Sequence, residues 1–404
     1  MIDLGKELLT AGIEQVEMSH DAGETGMEIS SCLEVVFRAL PDSSLSPKEQ
    51  MVWAINAELE DDYELCEGSK VFWEIDREAS HWSAVADELR ERLKHLKFSG
   101  NEDNFSRNNA RDALCNWIIM ALEKADRRKE AISLCKEEAV KAGSYARLVD
   151  VLLKEGRQDE AEQWIFKGVK ASSRQYPGIA VGLVDTLREL REKENNWPAV
   201  AAIRAEEFLR RPSFSAYDKL RSPSERAGVW PTVREAILLF LETGKTPYAF
   251  DSWPLPEAEV KMEGPFHPDK PPMAHTLIEI AIDERRPDEI IKWYDSQPKK
   301  QEHFRQWPEH MENRIAHGIE DAYPDRSVAI WKGLAENQIA LTKPAAYSVA
   351  AGYLKKIREL LVRLHRGEEW TRYVAGLRQT NARKPRFIET LARLEGRKII
   401  DGKG

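Results

Sequence analysis

Nothing in this sequence announces a reaction. GxSxG, HExxH and GxGxxG are all absent, and no Cys or Ser has an obvious His/Asp set beside it. The usual hydrolase, zinc-peptidase and dinucleotide signatures therefore give no foothold. Cysteine is scarce: Cys32, Cys66, Cys115 and Cys135 lie far apart, with no CxxC and no Cys-His pair at finger spacing. A zinc site has no support in that pattern, which instead fits four buried, reduced thiols in a cytoplasmic protein. Long apolar runs are missing as well. The longest are short, such as AILLFL at 236–241, well under the roughly 18 residues a membrane span needs. The opening MIDLGKELL has Asp3 and Glu7 early and no basic start before an apolar block, so no signal peptide is expected. With 22 Gly and 20 Pro in 404 residues, the chain is too poor in both to be a low-complexity polypeptide.

What is present is helix-forming. The chain is 42% hydrophobic and 32% charged, and its length suits two or three domains or one long repeat array. LEKADRRKEAISLCKEEAVKAG (122–143) aligns with LLKEGRQDEAEQWIFKGVKASS (152–173) at a spacing of 30 residues. Leu122 falls on Leu152, Arg127 on Arg157 and Glu130-Ala131 on Glu160-Ala161, with a one-residue slip bringing Val140 onto Val169. Gly156 matches Asp126; both residue types suit a helix end and a tight turn. Each block therefore reads as a helical hairpin, with small Ala161 allowing close approach. Similar turns are expected at Asn195-Asn196, Arg286-Pro287 and Tyr323-Pro324, each with a Pro near the first turn of the following helix. Ser46, Pro47 and Glu49 form a capping-box pattern. WSAVADELRERLKHL (82–96) puts Val85, Leu89, Leu93 and Leu96 on one face, and AAGYLKKIRELLVRLH (350–365) does so with Leu354, Ile357, Leu361 and Leu364.

The expected fold is all-α: a helical-hairpin, tetratricopeptide-like solenoid. Four regions are expected: an acidic helical region at 1–100, tetratricopeptide-like repeats at 101–244, a Pro-rich loop or linker at 245–272, and helical repeats with a basic end at 273–404. The 245–272 stretch holds 7 of the 20 prolines, and Tyr248, Phe250, Trp253 and Phe266 are apolar enough to dock it on the helices.

Candidate chemistry is thin. TGKT at 243–246 has Leu239 where a phosphate loop needs its first Gly, so Gly244 reads as a helix stop. His303, His310 and His317 recur every seven residues, about 10 Å apart along one helix and too far for one metal ion. ELEDDYELCEG (58–68) lacks calcium-loop spacing and reads as a solvated helix end. No catalytic, cofactor-binding or metal-binding residue is assigned, and no cofactor is expected.

Charge is unevenly spread. Residues 1–90 hold 21 acidic and 6 basic side chains, a net of −15; residues 354–404 hold 14 basic and 6 acidic, a net of +8. The basic end interleaves Trp370, Tyr373 and Phe387 with arginines. Trp370, Tyr373 and Leu377 at i, i+3, i+7 read as a core stripe. The alternative is nucleic-acid binding by Arg378, Arg383, Lys384 and Arg386 through phosphate contacts and stacking.

Five segments, in order, resemble a known family: HDAGETG (20–26), ELEDDYELCEG (58–68), WSAVADELRERL (82–93), FLRRPSFSAYDKLR (208–221) and LVRLHRGEEWTRYVAGLRQTNARKPRFIETL (361–391). Together they are similar to the helical C-terminal region of bacterial SWIM zinc-finger proteins and their relatives, over nearly the whole chain. The SWIM finger itself, C-x-C followed by C-x-H, is absent, so the zinc-dependent binding the resemblance implies attaches to no residue here. A non-enzymatic scaffold for protein or peptide partners is the expected function; no membrane partner is expected.

Overall fold

The computed structural model describes residues 2–18, 23–96, 105–263, 270–296 and 307–395. His303, Phe266 and the start of HDAGETG lie outside them. The fold is all-α: twenty α-helices and no strand among the described residues. By contact density the chain divides into two compact units, Met1–Leu190 with Val260–Gly264, and Arg191–Glu259 with Pro265–Gly404.

The first unit runs α1 (Ile2–Met18), α2 (Glu24–Ala39), α3 (Pro47–Glu60), α4 (Lys70–Trp73), α5 (Ala79–His95), α6 (Phe105–Lys124), α7 (Arg128–Ala142), α8 (Tyr145–Lys154), α9 (Gln158–Ser172) and most of α10 (Pro177–Lys193). From α5 to α9 each helix packs on the next in sequence. The capping box forms as the sequence indicates: Glu49 accepts from the Ser46 amide at 2.8 Å, the Ser46 hydroxyl accepts from the Glu49 amide at 3.4 Å, and Pro47 opens α3. In α5, Val85, Leu89 and Leu93 are buried, whereas Leu96 lies past the helix end and is exposed. At a spacing of 30 residues, burial matches at three positions. Ala131, Cys135 and Ala139 of α7 are buried at the same positions as Ala161, Ile165 and Val169 of α9. The slip that would pair Val140 with Val169 does not occur, because Val140 points to solvent.

The second unit contains α11 (Trp197–Arg210), α12 (Phe214–Arg226), α13 (Trp230–Thr243), α14 (Ala274–Asp283), α15 (Pro287–Ser296), α16 (Glu309–Ile319), α17 (Pro324–Ala340), α18 (Pro344–Arg363), α19 (Gly367–Thr380) and α20 (Pro385–Leu394). From α11 to α19 sequence neighbours again pack together, α20 packs on α18, and α12, α14 and α16 also touch as next-but-one neighbours. One core gathers Phe208, Tyr217, Phe240, Ile278 and Ile315; a second gathers Trp331, Leu354, Ile357, Trp370 and Phe387. Residues 245–263 and 270–272 of the Pro-rich stretch are among the described residues. Leu255 and Ala258 enter the first of these cores, Tyr248 and Trp253 meet edge-to-face at 5.9 Å, and Glu259 takes the Arg191 guanidinium through two bonds of 2.7 and 2.6 Å. Residues 245–259 are thus part of the second unit's body.

One turn geometry recurs six times. Asp126, Gly156, Asn195, Gly228, Arg285 and His365 all have left-handed backbone, with φ between 54° and 73°. Each lies two residues before a helix start, and the amide after each reaches back five residues. The Arg127 amide donates to the Leu122 carbonyl at 2.8 Å, Arg157 to Leu152 at 2.9 Å, Asn196 to Arg191 at 2.9 Å, Val229 to Ser224 at 3.0 Å, Arg286 to Ala281 at 2.8 Å and Arg366 to Leu361 at 2.8 Å. This is the paired bonding of a Schellman motif, which satisfies the last carbonyls of the first helix. At four turns the next residue is Arg and the third helical position Glu. Arg127 with Glu130, Arg157 with Glu160, Arg286 with Glu289 and Arg366 with Glu369 are ion-paired. The Glu lies near the positive end of the helix dipole and also neutralises the Arg.

Candidate functional site

The sequence-indicated basic residues do not form one cluster of free charges. Arg378, on the last turn of α19, is ion-paired with Glu395. Lys384 precedes α20 and donates to the Ile339 carbonyl at 3.1 Å, at the end of α17. Cations favour that end of a helix, so Lys384 has a capping role. Arg383 and Arg386 are exposed, and their guanidinium groups make no hydrogen bond or ion pair among the described residues. Trp370 and Leu377 are buried as a core stripe requires, but the position between them is taken by Val374. Tyr373 turns sideways and is half-buried, with its hydroxyl donating to Glu336 at 3.0 Å. Burial, then the Glu336 carboxylate, holds its phenol proton well above the usual range.

Tyr373 lies in a groove of about 770 Å³ in the second unit. Helices α17 and α19 form its walls and the start of α20 closes one end. Ile339 and Leu377 give an apolar floor; Lys332, Arg372 and Lys384 bring positive charge, and Glu336 and Glu369 negative charge. The Lys332 ammonium sits 4.5 Å over the Tyr373 ring, a cation–π contact that leaves its N–H groups available. Glu369 is held by Arg366 through bonds of 2.5 and 2.8 Å. Sequence reading missed this groove because its charges come from three separate helices. Glu369, Arg372 and Lys384 fall in the stretch the sequence singles out, but Lys332 and Glu336 come from α17, outside it.

A second groove, of about 640 Å³, lies in the first unit. At its edge Arg111 and Glu138 make a bidentate pair of 2.9 and 2.6 Å with both side chains 5% exposed. Arg111 also donates to the carbonyls of Leu93 and Leu96, tying down the end of α5. Arg127 and Arg157 sit in the repeated turns, where their Glu partners occupy them.

The remaining candidates serve the fold. Gly244 ends α13 in left-handed backbone, as a helix stop should. In the acidic stretch, Asp61 accepts from the amides of Tyr63 and Cys66 at 3.0 and 2.6 Å, and Glu58 accepts from the Trp73 indole at 2.6 Å. Among the described residues no His, Cys, Asp and Glu group could hold a metal ion, and His310 and His317 are exposed on α16. Cys66, Cys115 and Cys135 are buried, but Cys32 is exposed, correcting the expectation of four buried thiols. Burial raises the Cys115 thiol to about 12 and that of Cys135 to about 11, which leaves both unreactive at neutral pH. No described helix is long and apolar enough to cross a membrane. No protein-family model and no curated protein matches the chain.

Proposed function

We propose that this protein is a non-enzymatic α-solenoid scaffold that binds protein or peptide partners. The repeated helix-turn-helix junction carries this reading: six turns of one geometry, at Asp126, Gly156, Asn195, Gly228, Arg285 and His365. Stacked helical hairpins present extended surfaces, and such arrays characteristically work as binding platforms. The open groove of α17 and α19 supports it further, because its apolar floor and mixed charged rim match the anatomy of a peptide site. A second reading, nucleic-acid association through the basic C-terminal face, draws on the unengaged Arg383 and Arg386.

Affinity purification of the tagged chain from its native cells, with and without nuclease, tests the proposal. A partner that survives nuclease is the expected result. A SWIM-finger protein among the partners would put the zinc module in trans. Loss of every partner on nuclease treatment would overturn the scaffold reading in favour of nucleic acid.

A further inference from the structure

We propose that the groove between α17 and α19 receives an acidic peptide segment, an inference that rests on the scaffold reading above. Three cations line it. Arg372 is exposed, and its guanidinium makes no hydrogen bond or ion pair among the described residues, though its charge acts on Glu369. Lys332 lies over Tyr373 at 4.5 Å with its donors unspent. Lys384 gives one hydrogen bond to Ile339, out of the three an ammonium can make. The two carboxylates on the walls are already engaged, Glu336 by the Tyr373 hydroxyl and Glu369 by Arg366. Three cations against two carboxylates leave the groove lining net positive, and that charge is complementary to Asp and Glu side chains.

Gly376 is the independent observation. It lies mid-helix in α19 and lines the groove, and a Cβ built there would meet nothing within 4 Å. Glycine inside a helix costs about 1 kcal/mol against alanine, and no packing neighbour requires it here. Its bare surface lets another backbone approach the helix closely, between Leu377 below and Arg372 beside it. An extended acidic peptide would place carboxylates on Arg372, Lys332 and Lys384, and an apolar side chain on Leu377 and Ile339.

A nucleic acid fits less well. A continuous phosphate chain would pass the carboxylates of Glu336 and Glu369, and the ring face of Tyr373, which a base would need for stacking, is covered by Lys332.

The test is fluorescence anisotropy of the full chain with a fluorescein-labelled peptide of repeated Glu-Leu-Asp, beside a Lys-Leu-Lys analogue and an oligothymidylate. The acidic peptide should bind and the basic one should not. Arg372→Glu should weaken binding about tenfold, the scale of reversing one exposed charge pair. Gly376→Trp should abolish it while leaving every charge in place. Affinity should also fall as salt rises from about 0.05 M to about 0.5 M. Circular dichroism melts of both variants establish that they fold. Equal binding by wild type and Arg372→Glu, or tighter binding of the oligothymidylate, would overturn the proposal. Affinity purification with the same variant separates this failure from that of the scaffold reading. Nuclease-resistant partners held equally by wild type and Arg372→Glu would overturn the groove assignment and leave the scaffold standing; none in either would sink both.

Discussion

Replacing Gly156 with alanine isolates the energy of the repeated turn. Gly156 has φ +71°, and a Cβ built there meets nothing within 4 Å. The substitution therefore adds no clash; what remains is the left-handed backbone itself, about 1–2 kcal/mol for a residue with a side chain. Alanine also restricts the unfolded chain, which returns about 0.4–1 kcal/mol. The expected net loss is about 1 kcal/mol. Gly168→Ala should also destabilise, for a different reason. Gly168 sits inside α9, where alanine is favoured by about 1 kcal/mol. Its Cβ, however, would lie 2.6 Å from Leu183 and 2.8 Å from Tyr145, and overpacking of that kind costs about 1–3 kcal/mol. Gly376→Ala has neither problem and should stabilise by about 0.5–1 kcal/mol. Conversely, Arg285→Gly should stabilise its turn, since Arg285 holds φ +54° with a full side chain. Urea unfolding followed by circular dichroism reads all four as shifts in midpoint at constant slope. If Gly156→Ala proves as stable as Gly376→Ala, the left-handed turn is not what closes the hairpins.

Glu138→Ala should cost about 3–5 kcal/mol, because it strands the buried Arg111 guanidinium; urea unfolding checks it, and a loss below about 1 kcal/mol would contradict the buried pair. Glu130 is held down to about 2 by Arg127 first and by Arg90. Its folded value is depressed, so the stabilisation is complete above the ordinary carboxylate value of 4.5 and drains away as pH falls towards about 2. Because the Glu130 side chain is 42% exposed, the effect is screened and should shrink in high salt, and Glu130→Gln should remove it from acid-unfolding curves. Native protein should expose one thiol to an aromatic disulfide reagent, Cys32, and denatured protein all four; fast reaction of two or more native thiols would contradict the burial of Cys66, Cys115 and Cys135.

The helices were legible where residue chemistry marks their ends. Gly156, Asp126 and Asn195 adopt left-handed backbone readily, and Pro198, Pro287 and Pro324 start helices because the first-turn amides need no partner. The turn at Arg285 is marked only by Pro287 after it, and the turn at His365 has no Gly, Asn, Asp or Pro near its left-handed residue except Gly367, which opens α19. Gly228 is masked by Pro223, which sits inside α12 rather than ending it. Residue type misled at Cys32: cysteine is commonly buried, but Leu33, Val36 and Phe37 face inward and the helix phase leaves Cys32 outside. Arg111 with Glu138, and Lys332 with Arg372 and Lys384, meet only through packing of separate helices, so no local pattern announces them.

Hydrogen exchange of the full chain, alone and with the Glu-Leu-Asp peptide, tests most directly whether this is a peptide-binding scaffold. The expected result is added protection confined to α17 and α19 and the turn leading into α20. Unchanged exchange throughout, at peptide concentrations that saturate the anisotropy signal, or protection centred on other helices would contradict it.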